Sequence, residues 1–470
     1  MIKLPFDKEK TVSVVGLGVS NLPLVRFLAA KGYRLTVRDK KSKEQFQDLL
    51  PELESLGVKT IFGEAYLNDL SEDVIFRSPG IRPDISPFAE AVKSGSILTS
   101  EMELFLELTP AKVLAVTGSD GKTTSTTIAG KLLETEFQKT GRGRVYVGGN
   151  IGKPLLPFVE EMTEDDVAVL ELSSFQLQSM KKSPHRAAVT NLSPNHLNWH
   201  TGMEEYITAK TNIYRHSPCE CAVLNFENKV TKELGLQASL PITWFSSKKQ
   251  SYTEFPLRQG NRAVYERGGT IFLFDGKKEL EKLEISRIRL PGIHNLENYM
   301  TAIALTDGLV SNETIGEVAD SFTGVKHRLE EVRKLHGVTY YNSSIDSSPS
   351  RTAAALSALK TSPIVICGGY DKNIPFAPLA KVLLDHAKAV VLTGATAEKI
   401  MDAIKEESSS SEKKIPCYLE KDFTQAVCLA RELAVEGDIV LLSPACASFD
   451  AFRNFEERGE TFCAIVKSFE

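Results

Sequence analysis

Gly118-Ser-Asp-Gly-Lys122-Thr123-Thr124 is a run suited to holding phosphate. Glycine at 118 and 121 lets the backbone curl until successive N–H groups point inward. Lys122 can then reach the outer phosphates of a nucleotide, and the Thr123 hydroxyl can hold Mg²⁺. The spacing departs from the commoner G-x-x-x-x-G-K-[ST] form, because its first glycine would fall on Val116. A glycine turn with an exposed lysine is the plainer alternative. Context favours phosphate: the apolar run 113–117 precedes the loop, and a helical pattern with Ile128, Leu132, Leu133 and Phe137 on one side follows it.

A phosphate loop does not by itself separate hydrolase, kinase and ligase, so the chemistry must come from what faces it. Glu171 closes the apolar run 167–171, at the edge where doubly wound sheets place ligands. A carboxylate there would complete a Mg²⁺ site with Thr123, unless it merely ends a strand. The run 187–191 delivers Asn191-Leu-Ser-Pro-Asn-His196-Leu-Asn-Trp-His200 to the same edge. Its position after a strand raises His196 above an ordinary loop histidine. Beyond it Tyr206, Lys210, Ile213 and Tyr214 share one helical face. By spacing alone, Lys210 lays its stem on apolar neighbours and keeps its amine in water.

These groups need a scaffold, and the chain supplies short β-branched runs that alternate with helical patterns, the mark of parallel α/β units. With 470 residues, two or three domains are expected. The runs fall into three groups: a Rossmann-like amino-terminal domain over 1–107, a central phosphate-loop ATPase-type domain with a parallel sheet over 108–324, and a Rossmann-like carboxyl-terminal domain over 325–470. Within the second, the runs 262–266 and 270–274 around Gly268 and Gly269 predict a hairpin. Residues 408–411, four serines flanked by charge, read as a solvated loop.

Composition narrows the function classes. The 56 Lys and Arg against 61 Asp and Glu leave a formal charge of -5, without the basic excess of a nucleic-acid binder. Asp7 and Glu9 interrupt the place of a signal peptide, and no uncharged apolar run approaches the ~18 residues of a membrane span. Seven cysteines, all beyond residue 218 and without paired C-x-x-C spacing, fit a reducing cytoplasm. Cys219 and Cys221 read as buried thiols rather than metal ligands.

Taken in order, the anchors resemble the Mur ligases of peptidoglycan synthesis across the whole chain. They are the 118–124 loop, Gly148-Gly-Asn-Ile-Gly152, Glu171-Leu-Ser-Ser-Phe-Gln176, the stretch from His196 to Lys210, His294-Asn-Leu-Glu-Asn298, His327-Arg328-Leu-Glu330 and Ser443-Pro-Ala-Cys-Ala-Ser-Phe-Asp450. The resemblance implies a three-domain cytoplasmic ligase that uses ATP to join an amino acid to a UDP-linked substrate, and the Glu171 and Ser443 motifs point to the member that adds D-glutamate to UDP-N-acetylmuramoyl-L-alanine. By the same resemblance, Thr123, Glu171, His196 and a carbamylated Lys210 hold Mg²⁺, two ions in all, and Lys122, Glu171, His196 and Lys210 are catalytic. Gly118, Ser119, Asp120, Gly121, Lys122, Thr123, Thr124, Asn298 and Arg328 contact ATP. Ser20, Asp39, Ser78, Gly80 and Asn150 take the UDP end. Ser173, Gln176, Ser347, Lys372, Ser448 and Phe455 serve the substrates, D-glutamate among them. A monomer, without nucleic acid or membrane, is expected.

Gly16-Leu-Gly18 with Asp39 also resembles a dinucleotide fingerprint, but the third glycine position holds Asn21. A NAD-dependent oxidoreductase therefore stays open as an alternative, as do a related amide ligase with another acceptor, a folylpolyglutamate-type synthetase and a catalytically silent binder. Departures from the family pattern also stand out. Asn195 and Asn198 flank His196 where the family commonly has Asp, and residues 342–347 lack its lysine and carboxylate, at Ile345 and Ser343. Asp346 and Arg351 are the nearby charges available to compensate.

Overall fold

Among the described residues three sheets carry the chain, built mainly from the β-branched runs. The computed structural model describes residues 2–196, 199–290, 292–359, 361–371, 375–411 and 413–470. The first sheet is wholly parallel, with β1 (Thr11–Val15), β2 (Arg34–Asp39), β3 (Lys59–Phe62), β4 (Val74–Arg77) and β5 (Ile97–Thr99) in spatial order β3-β2-β1-β4-β5. The chain reverses its winding between β3 and β4, so the carboxyl ends of β1 and β4 border the crevice where such sheets bind ligands.

The central sheet contains β6 (Lys112–Thr117), β7 (Val145–Gly149), β8 (Val167–Glu171), β9 (Arg186–Val189), β10 (Cys221–Asn225), β11 (Ile242–Ser246), β12 (Arg262–Arg267), β13 (Thr270–Phe274) and β14 (Glu279–Glu284). Their order is β14-β13-β12-β11-β10-β9-β6-β8-β7, parallel from β7 to β12 and antiparallel beyond. Gly268 and Gly269, at φ 58° and 82°, turn β12 into β13 as the expected hairpin. Burial follows the strand period: Val113 and Ala115 face one way, Leu114 and Val116 the other. Ile128, Leu132, Leu133 and Phe137 of the helix Lys122–Thr140 cover the second face. The first face belongs to one continuous apolar cluster with Val12 and Val14 of the first sheet and Leu24 of the helix Asn21–Ala30 that packs on it.

The third sheet holds β15 (Glu330–Leu335), β16 (Val338–Asn342), β17 (Ile364–Gly368), β18 (Ala389–Thr393), β19 (Cys417–Leu419) and β20 (Ile439–Leu442), ordered β15-β16-β20-β17-β18-β19 and parallel except for β15. The chain separates into two compact units, Met1–Phe322 and Thr323–Glu470. The expected division at 107/108 lies within the first.

Residues 408–411 are not a loop; they form the last turn of the helix Ala397–Ser411. Ile400 and Ile404 bury one side of that helix, and the hydroxyls of Ser409, Ser410 and Ser411 donate to the carbonyls of Lys405 and Glu407 at 2.8, 2.8 and 2.9 Å. Packing and these local bonds outweigh the weak helix propensity of serine.

Candidate active site

Register decides which groups meet. Val116 pairs with Glu171 and Thr117 with Val189, so the segments after β6, β8 and β9 leave the central sheet at one edge. Gly118 turns at φ 145°, and a side chain there would overlap the Thr190 hydroxyl. Gly121, at φ 77°, opens the helix Lys122–Thr140, and a Cβ would stand 2.5 Å from Asn298 Oδ1. Both positions therefore require glycine.

The segment after β9 latches the phosphate loop. The expected strand 187–191 stops at Val189 because Thr190 and Asn191 leave the ladder for this work. Thr190 Oγ1 donates to the Asp120 carbonyl at 2.5 Å, Asn191 Oδ1 accepts the Asp120 N–H at 3.0 Å, and the Asn191 carbonyl accepts the Ser119 N–H at 2.9 Å. Ser119 Oγ donates to the Ser193 carbonyl at 2.9 Å and lies 2.9 Å from the Tyr206 hydroxyl. Lys122 Nζ donates to the Ser119 carbonyl at 3.0 Å. Asn298, on the helix Ile293–Leu305, accepts from Ser125 Oγ at 3.1 Å, which brings the expected adenine-side residue against the start of the phosphate-loop helix.

Glu171 is 2% exposed, and both of its oxygens are engaged: Thr123 Oγ1 donates at 2.6 Å and Asn150 Nδ2 at 2.8 Å. Gly149, at φ 97°, makes the Asn150 contact possible, since any side chain would overlap the Glu171 carbonyl. Ser173 and Gln176 close a capping box just beyond, with Gln176 Oε1 accepting from Ser173 N and Oγ at 2.9 Å each.

Lys210 corrects the surface reading. On the helix Met203–Arg215 it is 2% exposed, and Nζ donates to Thr117 Oγ1 at 3.0 Å, at the foot of the phosphate loop. Burial, reinforced by the positive charge of Lys122, drives its pKa well below the usual lysine value. His196 adopts φ 54° and packs edge-on against Phe175, with ring centroids 4.9 Å apart. His200 is instead enclosed: Nε2 lies 3.0 Å from Ser174 Oγ, and the ring packs among Phe175, Trp199 and Tyr206. Of the two imidazoles expected near phosphate, the second is a packing group.

Thr123 and Glu171 offer touching oxygen ligands, a donor set suited to Mg²⁺. Among the described residues no three His, Cys, Asp or Glu side chains gather as a metal site. The Cys219 thiol donates to the Cys221 carbonyl at 3.4 Å, and burial pushes its pKa up to about 12.

On the first sheet, Gly16 approaches Ser78 so closely that a Cβ would stand 2.6 Å from the serine Cβ. Asp39 uses both oxygens to shape the loops, accepting from Leu17 N at 2.6 Å and Lys41 N at 2.8 Å. Asn21, in place of a third glycine, donates to the Gly16 carbonyl at 2.8 Å and so braces the turn with its side chain. Ser20 stands immediately before the helix Asn21–Ala30 without a side-chain capping bond, and Gly80 lies two residues beyond Ser78.

Arg328, Ser347, Ser448 and Phe455 belong to the second unit; Lys372 and Asn198 lie outside the described residues. Phe455 packs edge-on to His327 at 6.1 Å, and its carbonyl accepts from Ser344 Oγ at 2.8 Å. Ser448 is 2% exposed. Asp346 is buried and accepts from Ser443 Oγ at 2.9 Å, whereas Arg351 donates to the Ile345 carbonyl at 3.0 Å. Asn342 Nδ2 bridges His327 Nδ1 and Glu330 Oε2 at 2.9 and 3.1 Å. Residue patterns did not single out Thr117, Thr190 or the buried Arg458, which donates to Ser344, Cys446 and Ala447. A polar residue at the carboxyl end of a sheet strand was the signal available for the first two.

Comparison with known proteins agrees with this geometry. Residues 10–100 match the MurD-like amino-terminal domain of Mur ligases, 116–306 the Mur ligase middle domain, and 327–446 the Mur ligase glutamate ligase domain. A UDP-N-acetylmuramoylalanine--D-glutamate ligase of Clostridium novyi (strain NT) is 46% identical over 98% of each chain. Its namesake from Ruminiclostridium cellulolyticum is 44% identical over 98% of this chain and 97% of that one. Among solved structures, a UDP-N-acetylmuramate-alanine ligase from Thermotoga maritima shares the fold at TM-score 0.53 and 18% identity, covering 98% of this chain and 99% of that one. MurF from Acinetobacter baumannii does so at TM-score 0.54 and 18% identity, over 84% and 90%. With a phosphate loop, a buried lysine at its foot and full-length relatives of this similarity, the chain belongs to the Mur ligase family.

Proposed function

We propose that this chain joins D-glutamate to UDP-N-acetylmuramoyl-L-alanine, with ATP converted to ADP and phosphate. The observation that carries the reading is the meeting of Thr123, Glu171 and the buried Lys210 at one phosphate loop, on a chain whose full-length relatives bear that activity in their names. The substrate carboxylate attacks the γ-phosphorus and ADP leaves, giving an acyl phosphate. The D-glutamate amine then attacks the acyl carbon, a proton is lost, and the tetrahedral adduct expels phosphate to leave the amide.

Both reactants in the first step are anions, so positive charge must offset their repulsion. Lys122 supplies it from the loop. Mg²⁺ fits the oxygen pair of Thr123 and Glu171 and would supply further charge neutralisation at the phosphates. His196 is assigned to a second ion. Lys210 supports a carbamate: burial favours its neutral amine, which adds to CO₂ with loss of a proton and becomes an anion. That change would give the buried lysine an anionic oxygen pair able to act as a metal ligand.

The UDP end is assigned to Ser20, Asp39, Ser78, Gly80 and Asn150, and ATP to residues 118–124, Asn298 and Arg328. Acceptor and peptide contacts fall to Ser173, Gln176, Ser347, Lys372, Ser448 and Phe455. We read the functional domains as 1–107, 108–324 and 325–470, in a cytoplasmic monomer. Among the described residues no helix is long and apolar enough to cross a membrane. The test is phosphate release by purified protein with Mg²⁺, ATP and UDP-N-acetylmuramoyl-L-alanine. Release is expected with D-glutamate and not with L-glutamate or D-alanine; equal release with all three overturns the assigned acceptor.

A further inference from the structure

One arginine joins the turn after β4 to the segment that follows β9. Arg82, four residues beyond Ser78, clamps Asp84 through Nε and Nη2 at 2.9 and 2.7 Å. It donates to both oxygens of Glu205, at 2.7 and 3.3 Å, and to the Trp199 carbonyl, and its guanidinium lies 5.2 Å from the Trp199 ring centroid. Glu205 gathers the other side. Its carboxylate accepts from Thr201 N and Oγ1 at 2.5 and 3.1 Å and from Gln178 Nε2 at 2.8 Å, and stands 3.6 Å from His200 Nδ1.

What hangs on this couple is the metal-side segment. The N–H groups of Trp199 and His200 both donate to the His196 carbonyl at 3.0 Å. His196 itself holds φ 54°, in the left-handed region that an L residue seldom adopts. Lys210 lies on the same helix as Glu205, five residues on. A second, buried arginine holds the β4 turn from below: Arg77 donates to the Ser78 and Pro79 carbonyls at 3.1 and 3.2 Å, and to Phe175 O and Ser179 Oγ at 3.3 and 3.0 Å.

We propose that Arg82 and Glu205 are positioning residues that lock the His196 turn and the Lys210 helix to the Ser78–Gly80 turn, so that the acyl end of the UDP-linked substrate meets the phosphate loop in register. This deepens the ligase reading above and rests on it. An isolated surface ion pair would do little. The forked geometry, the shared carbonyl and the ring contact distinguish this one, because a lysine cannot reproduce them.

The test compares Arg82→Gln, Arg82→Lys, Glu205→Gln and the double variant Arg82→Gln/Glu205→Gln. Misplacement of reacting groups by about 1 Å costs up to ~10²-fold, so kcat is expected to fall roughly ten- to hundredfold while the KM for ATP stays within about twofold. The double variant should be no worse than the worse single one, and Arg82→Lys should recover only part of the loss. Trp199 gives a readout independent of turnover. Its emission, isolated by subtracting that of a Trp199→Phe protein, should shift to the red in Arg82→Gln as the indole loses its cover. Unchanged kcat in both single variants, or unchanged Trp199 emission in Arg82→Gln, overturns the proposal. An absence of D-glutamate-dependent phosphate release by the parent protein instead overturns the ligase reading, and the emission measurement still decides whether the clamp exists.

Discussion

Two lysines at one loop take opposite electrostatic parts in the proposed reaction. There Lys122 must stay charged to draw the γ-phosphate toward the attacking carboxylate, whereas Lys210 is buried where charge is unfavourable. Lys122→Ala is expected to reduce kcat by at least ~10²–10³-fold, the scale for removing a group that stabilises developing charge, as measured by phosphate release at saturating substrates. Lys210→Ala should lose a comparable factor but regain part of it when short carboxylates are added. The wild-type protein in ¹³C-bicarbonate should show a carbamate carbon signal that the variant lacks; no difference in that signal would reject the modification. Lys210 also marks where sequence reading stops. Its apolar helical face was legible, but periodicity cannot tell a lysine lying on a surface from one enclosed beneath Thr117 and Tyr206, because both obey the same spacing.

At the scale of elements, strand-to-helix junctions set the geometry, and glycine makes them possible. Gly149→Ala should weaken folding by about 1–3 kcal/mol, because φ 97° is retained only at a cost and the new methyl would strike the Glu171 carbonyl. Denaturant unfolding measures this, and an unchanged midpoint would contradict the close approach of β7 and β8. Glu101, at the start of the helix Glu101–Leu108, makes a different prediction. It is 4% exposed with Oε1 unpaired, and burial pushes its pKa from 4.5 up to about 7. The folded state therefore binds this proton more tightly than the unfolded state. Its contribution is fully present below pH ~4.5 and is lost as pH rises through about 7, amounting to roughly 3 kcal/mol at ~1.4 kcal/mol per pKa unit. Glu101→Gln should flatten that decline, read as unfolding free energy against pH. Strands such as 113–117 and 364–367 were legible because buried parallel strands are nearly continuous apolar runs. The bridges made by Arg77 and Arg82 were not, since their partners across to the central part lie 98 to 123 residues away and leave no local pattern.

Across the whole molecule, the continuity of apolar cores sets what can fold as a unit. The third sheet has its own alternating faces, with Val365 and Cys367 in one cluster and Ile364 and Ile366 in another. A fragment of residues 323–470 should accordingly fold alone and unfold cooperatively. The first and central sheets differ: Val12, Val14, Ala115 and Leu170 belong to one apolar cluster, and Arg77 and Arg82 bridge the same two parts. Cutting the chain between 107 and 108 exposes part of that shared cluster on each fragment and so removes apolar burial, which stabilises at ~25 cal/mol per Å². Fragment 1–107 should therefore lack a sharp thermal transition by circular dichroism, and adding 108–322 should restore one. A cooperative transition for 1–107 alone, matching that of the intact first unit, would show that the substrate-side sheet is an independent domain and that its arginine bridges are incidental to folding.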